Sequence, residues 1–147
     1  MVTYEDETTF PASRERVWKL LDAHLDDKTI GMIHHLIKSQ TTVSRSGGET
    51  VVDRTIDVRG KILRSRWKVL YRPPDLARWE ILDSEGPWAR GSYIENTYSD
   101  GQAGTNIRGR GDMTISVLPF FLSQKRTIQK VFTDIHAEDV AFAQRPT

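Results

Sequence analysis

Arg54 is the residue of this sequence whose position most clearly suggests chemistry. It stands between Val52 and Ile56 in a segment where apolar and polar residues alternate, so it falls on the apolar side of a predicted strand. A guanidinium there is costly unless an acidic group or a hydrogen-bond acceptor meets it. Two carboxylates could do so, that of Asp6 and, if it faces inward, that of Glu95. Otherwise Arg54 lies near the mouth of an interior space, or it anchors the acid or carbonyl group of a ligand.

The aromatic residues of the central strands are the second candidate group. Trp67, Tyr71 and Trp79 fall on the apolar side of two neighbouring predicted strands. When tryptophan and tyrosine are buried, their polar tips need partners, and cavities for amphipathic ligands have walls of this kind. The other face of the first of these strands carries basic side chains, namely Arg64, Arg66 and Lys68. Because a nucleic-acid platform needs its aromatic and basic groups on one face, no nucleic-acid partner is expected.

The histidines do not predict a metal site. His34 and His35 are adjacent in a predicted helix and point about 100° apart, so they cannot both face one ion. We expect His34 to point inward and His35 to be solvated. Cysteine is absent, which excludes disulfides and thiolate ligands. No metal and no cofactor are therefore expected.

Nucleophilic catalysis has no sequence signature in this chain. There is no cysteine, no G-x-S-x-G motif and no serine beside a plausible base. Acid–base catalysis by Tyr, His, Asp or Arg side chains that converge only in the fold stays open. A ligand-binding protein is favoured over an enzyme.

The elements that hold these residues follow from the periodicity of the sequence. Val2–Phe10 alternates as a strand, and Ser13 is placed to cap a helix whose apolar face includes Val17, Leu20, Leu21 and His24. Asp26 or Asp27 can cap a second short helix, on which Ile30, Ile33 and Ile37 line up. From residue 40 onward, apolar and polar residues alternate with a period of two, which is typical of β-strands. Turns are predicted at 46–48, 59–61, 72–75, 84–87 and 99–101, and the strand after the fourth turn spans residues 88–98.

Two glycines in the last predicted strand suggest a curved sheet. Gly109 and Gly111 share the inward side with Ile107 and Met113. Glycine weakens a strand, and its usual reasons there are a bulge, a bend or the close approach of another backbone.

Residues 118–144 form the one long helical pattern of the sequence. Its apolar face comprises Phe121, Ile128, Val131, Phe132, Ile135 and Phe142, at the spacing of a helix. Its polar face holds Lys125, Arg126, Lys130, Asp134 and Glu138. Such a helix needs a partner surface about as long as itself, and the preceding antiparallel strands supply it. Helix and sheet then enclose either a packed core or a cavity.

Length and charge limit the number of domains and the kinds of partner that we expect. The 147 residues fit one domain, residues 1–147, large enough for a sizeable core. Basic and acidic residues number 21 and 20, so no overall charge favours nucleic acid or an anionic membrane. No signal-peptide pattern or run of 18 apolar residues is present, so we expect a cytoplasmic protein without stable membrane insertion. The oligomeric state is not predicted.

Three segments resemble the START/polyketide-cyclase superfamily (SRPBCC). They are the opening TTFPASRERVWKLL, the stretch HHLIKSQTTVSRSGGETVVDRTIDVRG and the late hairpin YIENTYSDGQAGTNIRGRG. The resemblance covers essentially the whole chain and implies an α+β helix-grip fold. In that fold a seven-stranded curved antiparallel sheet wraps around a long C-terminal helix, and two short helices follow the first strand. It implies no catalytic residue.

The function expected from these observations is the binding of a hydrophobic or amphipathic small molecule between sheet and C-terminal helix. A lipid, an isoprenoid or a polycyclic aromatic compound suits such walls. The residues expected to contact it are Arg54, Trp67, Tyr71, Trp79, Met113, Phe121, Ile128 and Phe132. Two alternatives stay open: a small cyclase/aromatase-type enzyme that uses acid–base residues of the cavity, and a protein-interaction domain whose cavity is filled.

Overall fold

A computed structural model describes residues 2–115 and 124–145 of the chain. Its elements, in chain order, are β1 (Val2–Phe10), α1 (Arg14–His24), α2 (Ile30–Ile33), β2 (Ile37–Ser46), β3 (Glu49–Val58), β4 (Lys61–Arg72), β5 (Leu76–Ser84), β6 (Tyr93–Gly101), β7 (Gly104–Met113) and α3 (Gln124–Ala143). The strands form one antiparallel sheet in the order β1-β7-β6-β5-β4-β3-β2. This is the α+β helix-grip arrangement, so the predicted fold class is confirmed.

The two helices after β1 begin largely as predicted. The Ser13 hydroxyl accepts a hydrogen bond from the Arg16 N–H at 3.3 Å, and α1 buries Val17, Trp18, Leu20, Leu21 and His24. The Asp26 carboxylate accepts from the N–H groups of Lys28 and Thr29, which closes the turn before α2. The prediction that Ile37 belongs to α2 is wrong. The backbone of His34 is already extended, and Ile37 pairs with Ile56 at the start of β2.

The inward alternation of β4 and β5 is confirmed. Leu63, Ser65, Val69 and Tyr71 on β4 are buried, as are Ala77 and Ile81 on β5. Their neighbours on the other face carry paired charges. The pairs are Asp53 with Arg66, Glu80 with Lys68, Glu95 with Arg78, and Glu7 with Arg108. The basic outer face is therefore interleaved with carboxylates.

The strand predicted at 88–98 begins later, at Tyr93, and ends later, at Gly101. Trp88 makes only an isolated bridge with Ile115, and β6 begins at Tyr93. The reason is a turn between them, in which Gly91 has a positive φ of 86° and the Ser92 N–H bonds to the Ala89 carbonyl. The turn predicted at 99–101 is also misplaced, because β6 and β7 stay paired as far as Gly101 and Gly104.

Gly111 is explained by the close approach of a neighbouring backbone, and Gly109 is not. A Cβ on Gly111 would overlap the Tyr93 carbonyl oxygen and lie 2.9 Å from the Ile94 Cα. A Cβ on Gly109 would meet the ends of side chains: the oxygens of Asp6 and Asn96 at 2.8 Å and the Ile94 Cδ1 at 3.8 Å. Close approach of a backbone therefore accounts for Gly111 but not for Gly109.

Helix α3 is attached to the rest of the fold along its length. The Gln124 side chain bonds to both the N–H and the carbonyl of Ile115, each at 2.9 Å. Farther along, the Phe132 ring stacks on Tyr4 at 4.9 Å between centroids, and the edge of His136 meets Phe10. Near its end, Arg16 donates to the Ala143 carbonyl at 3.2 Å. The predicted start of this helix, residues 118–123, lies outside the described residues.

One residue of the predicted polar face of α3 is placed differently. Glu138 is half-buried, and its carboxylate contacts His34 and His35. Lys130 and Asp134 lie on the exposed side and form an i,i+4 ion pair, as the pattern predicts. No helix within residues 2–115 and 124–145 is both long and apolar enough to cross a membrane.

Adding a methyl group at the two inward glycines tests the close approach of β6 to β7. Gly111→Ala should lower the free energy of unfolding by about 1–3 kcal/mol or more, because the β6 backbone has to shift. Gly109→Ala is the matched control and should cost clearly less, because side-chain ends can rotate away. Urea denaturation of the three proteins measures the difference. Equal losses would mean that backbone proximity is not what requires glycine at position 111.

Candidate functional site

Arg54 lies in the interior, as predicted, but its partner is a neutral one. The side chain is 9% exposed, and its Nε donates to the Gln40 Oε1 at 2.7 Å across the β2–β3 pair. Its guanidinium carbon lies 5.5 Å from the centre of the Trp67 ring. Burial lowers the pKa of Arg54 to about 10, although Tyr71 and Asp27 act in the other direction. The group is still charged at neutral pH.

The carboxylates predicted as partners of Arg54 are engaged elsewhere. Asp6 accepts a hydrogen bond from the Tyr4 hydroxyl at 2.6 Å, and Glu95 pairs with Arg78 at 3.5 Å. The predicted pairing of Arg54 with Asp6 or Glu95 is therefore wrong, because at least two strands separate β1 and β6 from β3 in the sheet. Within the described residues no carboxylate lies at ion-pair distance from Arg54, and its two terminal nitrogens donate no hydrogen bond. Each of these two nitrogens keeps some accessible surface, because every fully enclosed side-chain nitrogen or oxygen in the described part of the chain has a hydrogen-bond partner.

Trp67, Tyr71 and Trp79 form an aromatic wall beside Arg54. The indole of Trp67 donates to the Ser65 hydroxyl, and the Tyr71 hydroxyl donates to the Leu21 carbonyl, each at 2.8 Å. The rings of Tyr71 and Trp79 meet edge to face at 6.1 Å. Burial raises the pKa of Tyr71 well above its usual value, so the hydroxyl stays protonated. The two tryptophans keep part of their surface accessible, while Tyr71 does not.

Met113, Ile128 and Phe132 form a second group, nearer the start of α3. Met113 and Ile128 are 1% and 0% exposed, so both are fully enclosed by protein. Phe132 is half-buried between Tyr4 and Trp88. Trp79 packs against this group and also against the group around Tyr71, so the two are continuous. Phe121, the remaining predicted contact, lies outside the described residues.

A cluster that the sequence did not predict joins the two short helices to α3. His24 at the end of α1, His34 after α2 and Asp139 on α3 bring three ligand atoms together. Burial opposes protonation of His34, but bonds to Asp139 and Glu138 outweigh it, so its pKa is raised. Burial would raise the pKa of Asp139, but the two histidines outweigh it and hold that pKa well below its usual range.

The signal for this cluster was present in the sequence. Asp139 follows Ile128, Phe132 and Ile135 at helical spacing, so it is a charged residue on an otherwise apolar face, as Arg54 is on β3. No metal site was expected because His34 and His35 were predicted to point in different directions. The prediction that His34 points inward and His35 is solvated is correct, since His34 is buried and His35 is exposed. The histidine that faces His34 is His24, ten residues earlier.

Two open surface recesses bounded by described residues lie away from Arg54 and the aromatic wall. Asp22, Asp27 and Arg45 line the first recess, between α1 and β2, and the second runs along β1, β6 and β7. Neither is bounded by Arg54 or Trp67. The candidate site is therefore defined by side-chain placement on the inner face of the sheet.

Comparison with solved structures identifies the fold. No family model matches the sequence, and no curated protein matches it at a significant level. The protein Ara h 8.0201 has a similar structure, with a TM-score of 0.77, 17% identity and 97% of each chain covered. The Zhui aromatase/cyclase from Streptomyces sp. R1128 gives a TM-score of 0.69 at 14% identity, over 97% of this chain and 90% of that one.

A third similar structure is the di-domain ARO/CYC StfQ from the steffimycin biosynthetic pathway. It gives a TM-score of 0.75 at 12% identity, and the match covers 97% of this chain but 50% of that one. Identities this low establish the fold alone. The chain has the helix-grip fold that its sequence motifs predicted, and these structures share it.

Proposed function

We propose that this protein binds a hydrophobic or amphipathic small molecule between the inner face of the sheet and α3, with Arg54 holding its acidic or carbonyl group. The observation that carries the proposal is the state of the Arg54 side chain. It is buried and charged, it has one neutral partner, and two of its nitrogens are without a hydrogen bond among the described residues. Burying a charge without full compensation is costly, and a ligand carboxylate would offset that cost through charge-assisted hydrogen bonds.

The accessibility of the large inward side chains supports an interior space. Side chains in a fully packed core lose all accessible surface, as Val52 and Val69 do on the same face of the sheet. Trp67, Trp79 and Phe132 point inward and keep part of theirs. Walls that are largely aromatic, with one cation at the edge, suit a lipid, an isoprenoid or a polycyclic aromatic compound that carries one polar end.

A cyclase/aromatase-type enzyme is the second candidate, because one group in the interior could perform acid–base chemistry. His34 is buried, and its Nε2 lies 3.0 Å from the Asp139 carboxylate, so its imidazole could pass a proton to or from a bound compound. Two of the similar structures are named as aromatase/cyclases. The candidates differ in what happens to the bound compound. Binding returns it unchanged, whereas cyclisation with aromatisation removes water, so the mass of the recovered compound distinguishes them.

Two truncations on α3 test whether the interior is open. Ile128→Ala removes a fully enclosed side chain and should cost about 2–5 kcal/mol of unfolding free energy. Phe132→Ala removes a larger side chain but should cost no more than about 2 kcal/mol, because part of its surface already faces open space. Denaturant titration measures both. A loss of about 3–5 kcal/mol for Phe132→Ala would indicate a filled core and favour a protein-interaction domain.

Replacing Arg54 tests the proposed contact with the ligand's polar end. Arg54→Met should weaken the binding of dodecanoic acid about 10- to 100-fold, because a hydrogen bond to a charged group contributes about 1.5–3 kcal/mol. Binding of dodecanol, of equal length and without charge, should change much less. Isothermal titration calorimetry measures both affinities.

Two further variants serve as controls for Arg54→Met. Arg64→Met removes an exposed guanidinium from the outer face of β4 and should leave both affinities unchanged. Arg54→Lys keeps the charge and should retain part of the preference for the acid. Equal losses for acid and alcohol in Arg54→Met, or no loss for either, would show that Arg54 does not contact the ligand's polar end.

A further inference from the structure

Three ligand atoms from distant parts of the chain form a nearly equilateral triangle. The Nε2 atoms of His24 and His34 are 3.1 Å apart, and the Asp139 Oδ1 lies 2.9 Å from the first and 3.0 Å from the second. Both histidines are buried, and Asp139 is half-buried. Because the atoms come from α1, the end of α2 and α3, the folded chain brings them together without help from neighbours in sequence.

The other ring nitrogens show which atoms carry the lone pairs. The Nδ1 of His24 lies 2.7 Å from the Leu20 carbonyl, which can only accept, so this nitrogen carries the proton. The Nδ1 of His34 faces the Glu138 carboxylate at 3.4 Å, and in the tautomer that donates this contact the Nε2 carries the lone pair. In the neutral rings both Nε2 lone pairs then point at each other and at a carboxylate oxygen. This arrangement is repulsive unless a metal ion lies among the three atoms or one of the Nε2 atoms takes up a proton.

The size of the triangle fits one face of a six-coordinate ion. Zinc and similar ions bind imidazole nitrogen and carboxylate oxygen at about 2.0–2.2 Å, which gives adjacent ligands about 3.0 Å apart in an octahedron and about 3.4 Å apart in a tetrahedron. The observed edges of 2.9–3.1 Å match the octahedral spacing. An ion at this distance from each atom lies about 1.2 Å out of their plane.

We propose that His24, His34 and Asp139 bind one divalent first-row transition-metal ion through one face of its coordination sphere, leaving the other positions to water or a ligand. Two imidazoles with one carboxylate are a donor set that suits iron(II), cobalt(II), manganese(II) and zinc. The surroundings orient the ligands as metal sites require, since Leu20 and Glu138 accept the outer N–H of each ring. Gln40 also donates to the His24 carbonyl at 3.1 Å and fixes the end of α1.

Cobalt(II) is the probe that tests the site most directly. The full chain, stripped with EDTA and dialysed, should bind one cobalt per molecule, with the weak visible absorption of a six-coordinate ion. His24→Asn and Asp139→Asn should each weaken this binding at least 100-fold. The asparagine at position 24 can keep the bond to Leu20 while it removes the ligand nitrogen. His35→Asn, at the exposed neighbour of His34, is the matched control and should leave the affinity within about threefold of wild type.

The wild-type protein supplies a measurement that does not depend on variants folding. A saturating zinc concentration should raise its Tm by several degrees, and EDTA should reverse the rise, because an ion that binds only the folded state stabilises it. The proposal is overturned if cobalt shows no saturable one-to-one binding. In that case the cluster is an ion network of a protonated histidine with Asp139. It is equally overturned if His24→Asn binds as wild type does, or if His35→Asn alone abolishes binding.

Discussion

The apolar face of α3 has to be covered along its whole length, and the elements around it meet this requirement unevenly. At the start of the helix Ile128 is fully enclosed beside Met113 and Ile115. At the far end the two short helices hold it, through Arg16 and through the histidines that contact Asp139. Between these two attachments Phe132 stays half-buried, as do Trp67 and Trp79 on the sheet opposite. A helix enclosed at both ends, with partly accessible aromatic side chains between them, is compatible with an interior binding space.

The polar groups of the interior gather near the second attachment. Arg54 and Asp139 are opposite charges, yet the Arg54 guanidinium bonds to Gln40 and the Asp139 carboxylate to two histidines. Gln40 connects the two groups, since its oxygen accepts from Arg54 and its nitrogen donates to the carbonyl of His24. Because Gln40 is neutral, the charge of Arg54 is incompletely compensated by the described residues. This is the arrangement expected where a charged ligand or an ion completes the interior.

Local patterns in the sequence predicted most of the fold, and contacts between distant elements were the part they missed. Ser13 caps α1, and Trp67, Tyr71 and Ala77 face inward, because capping and strand alternation depend on neighbours within a few residues. The partner of Arg54 depends on the register of β2 against β3, which has two irregularities near Gln40. A charged residue on an apolar face suggests carboxylate partners, whereas a neutral amide such as Gln40 leaves no such signal. His24 and Asp139 are 115 residues apart, so only the docking of α3 brings them together.

Native mass spectrometry of the freshly purified protein, before and after incubation with dodecanoic acid, tests the central claim of an interior that holds a small amphiphile. We predict that the folded protein carries one additional small molecule, either from the expression host or from the incubation. This molecule should be lost when the protein unfolds. A protein that shows only the mass of the bare chain both before and after incubation would contradict this prediction, and would mean that sheet and helix enclose a filled core.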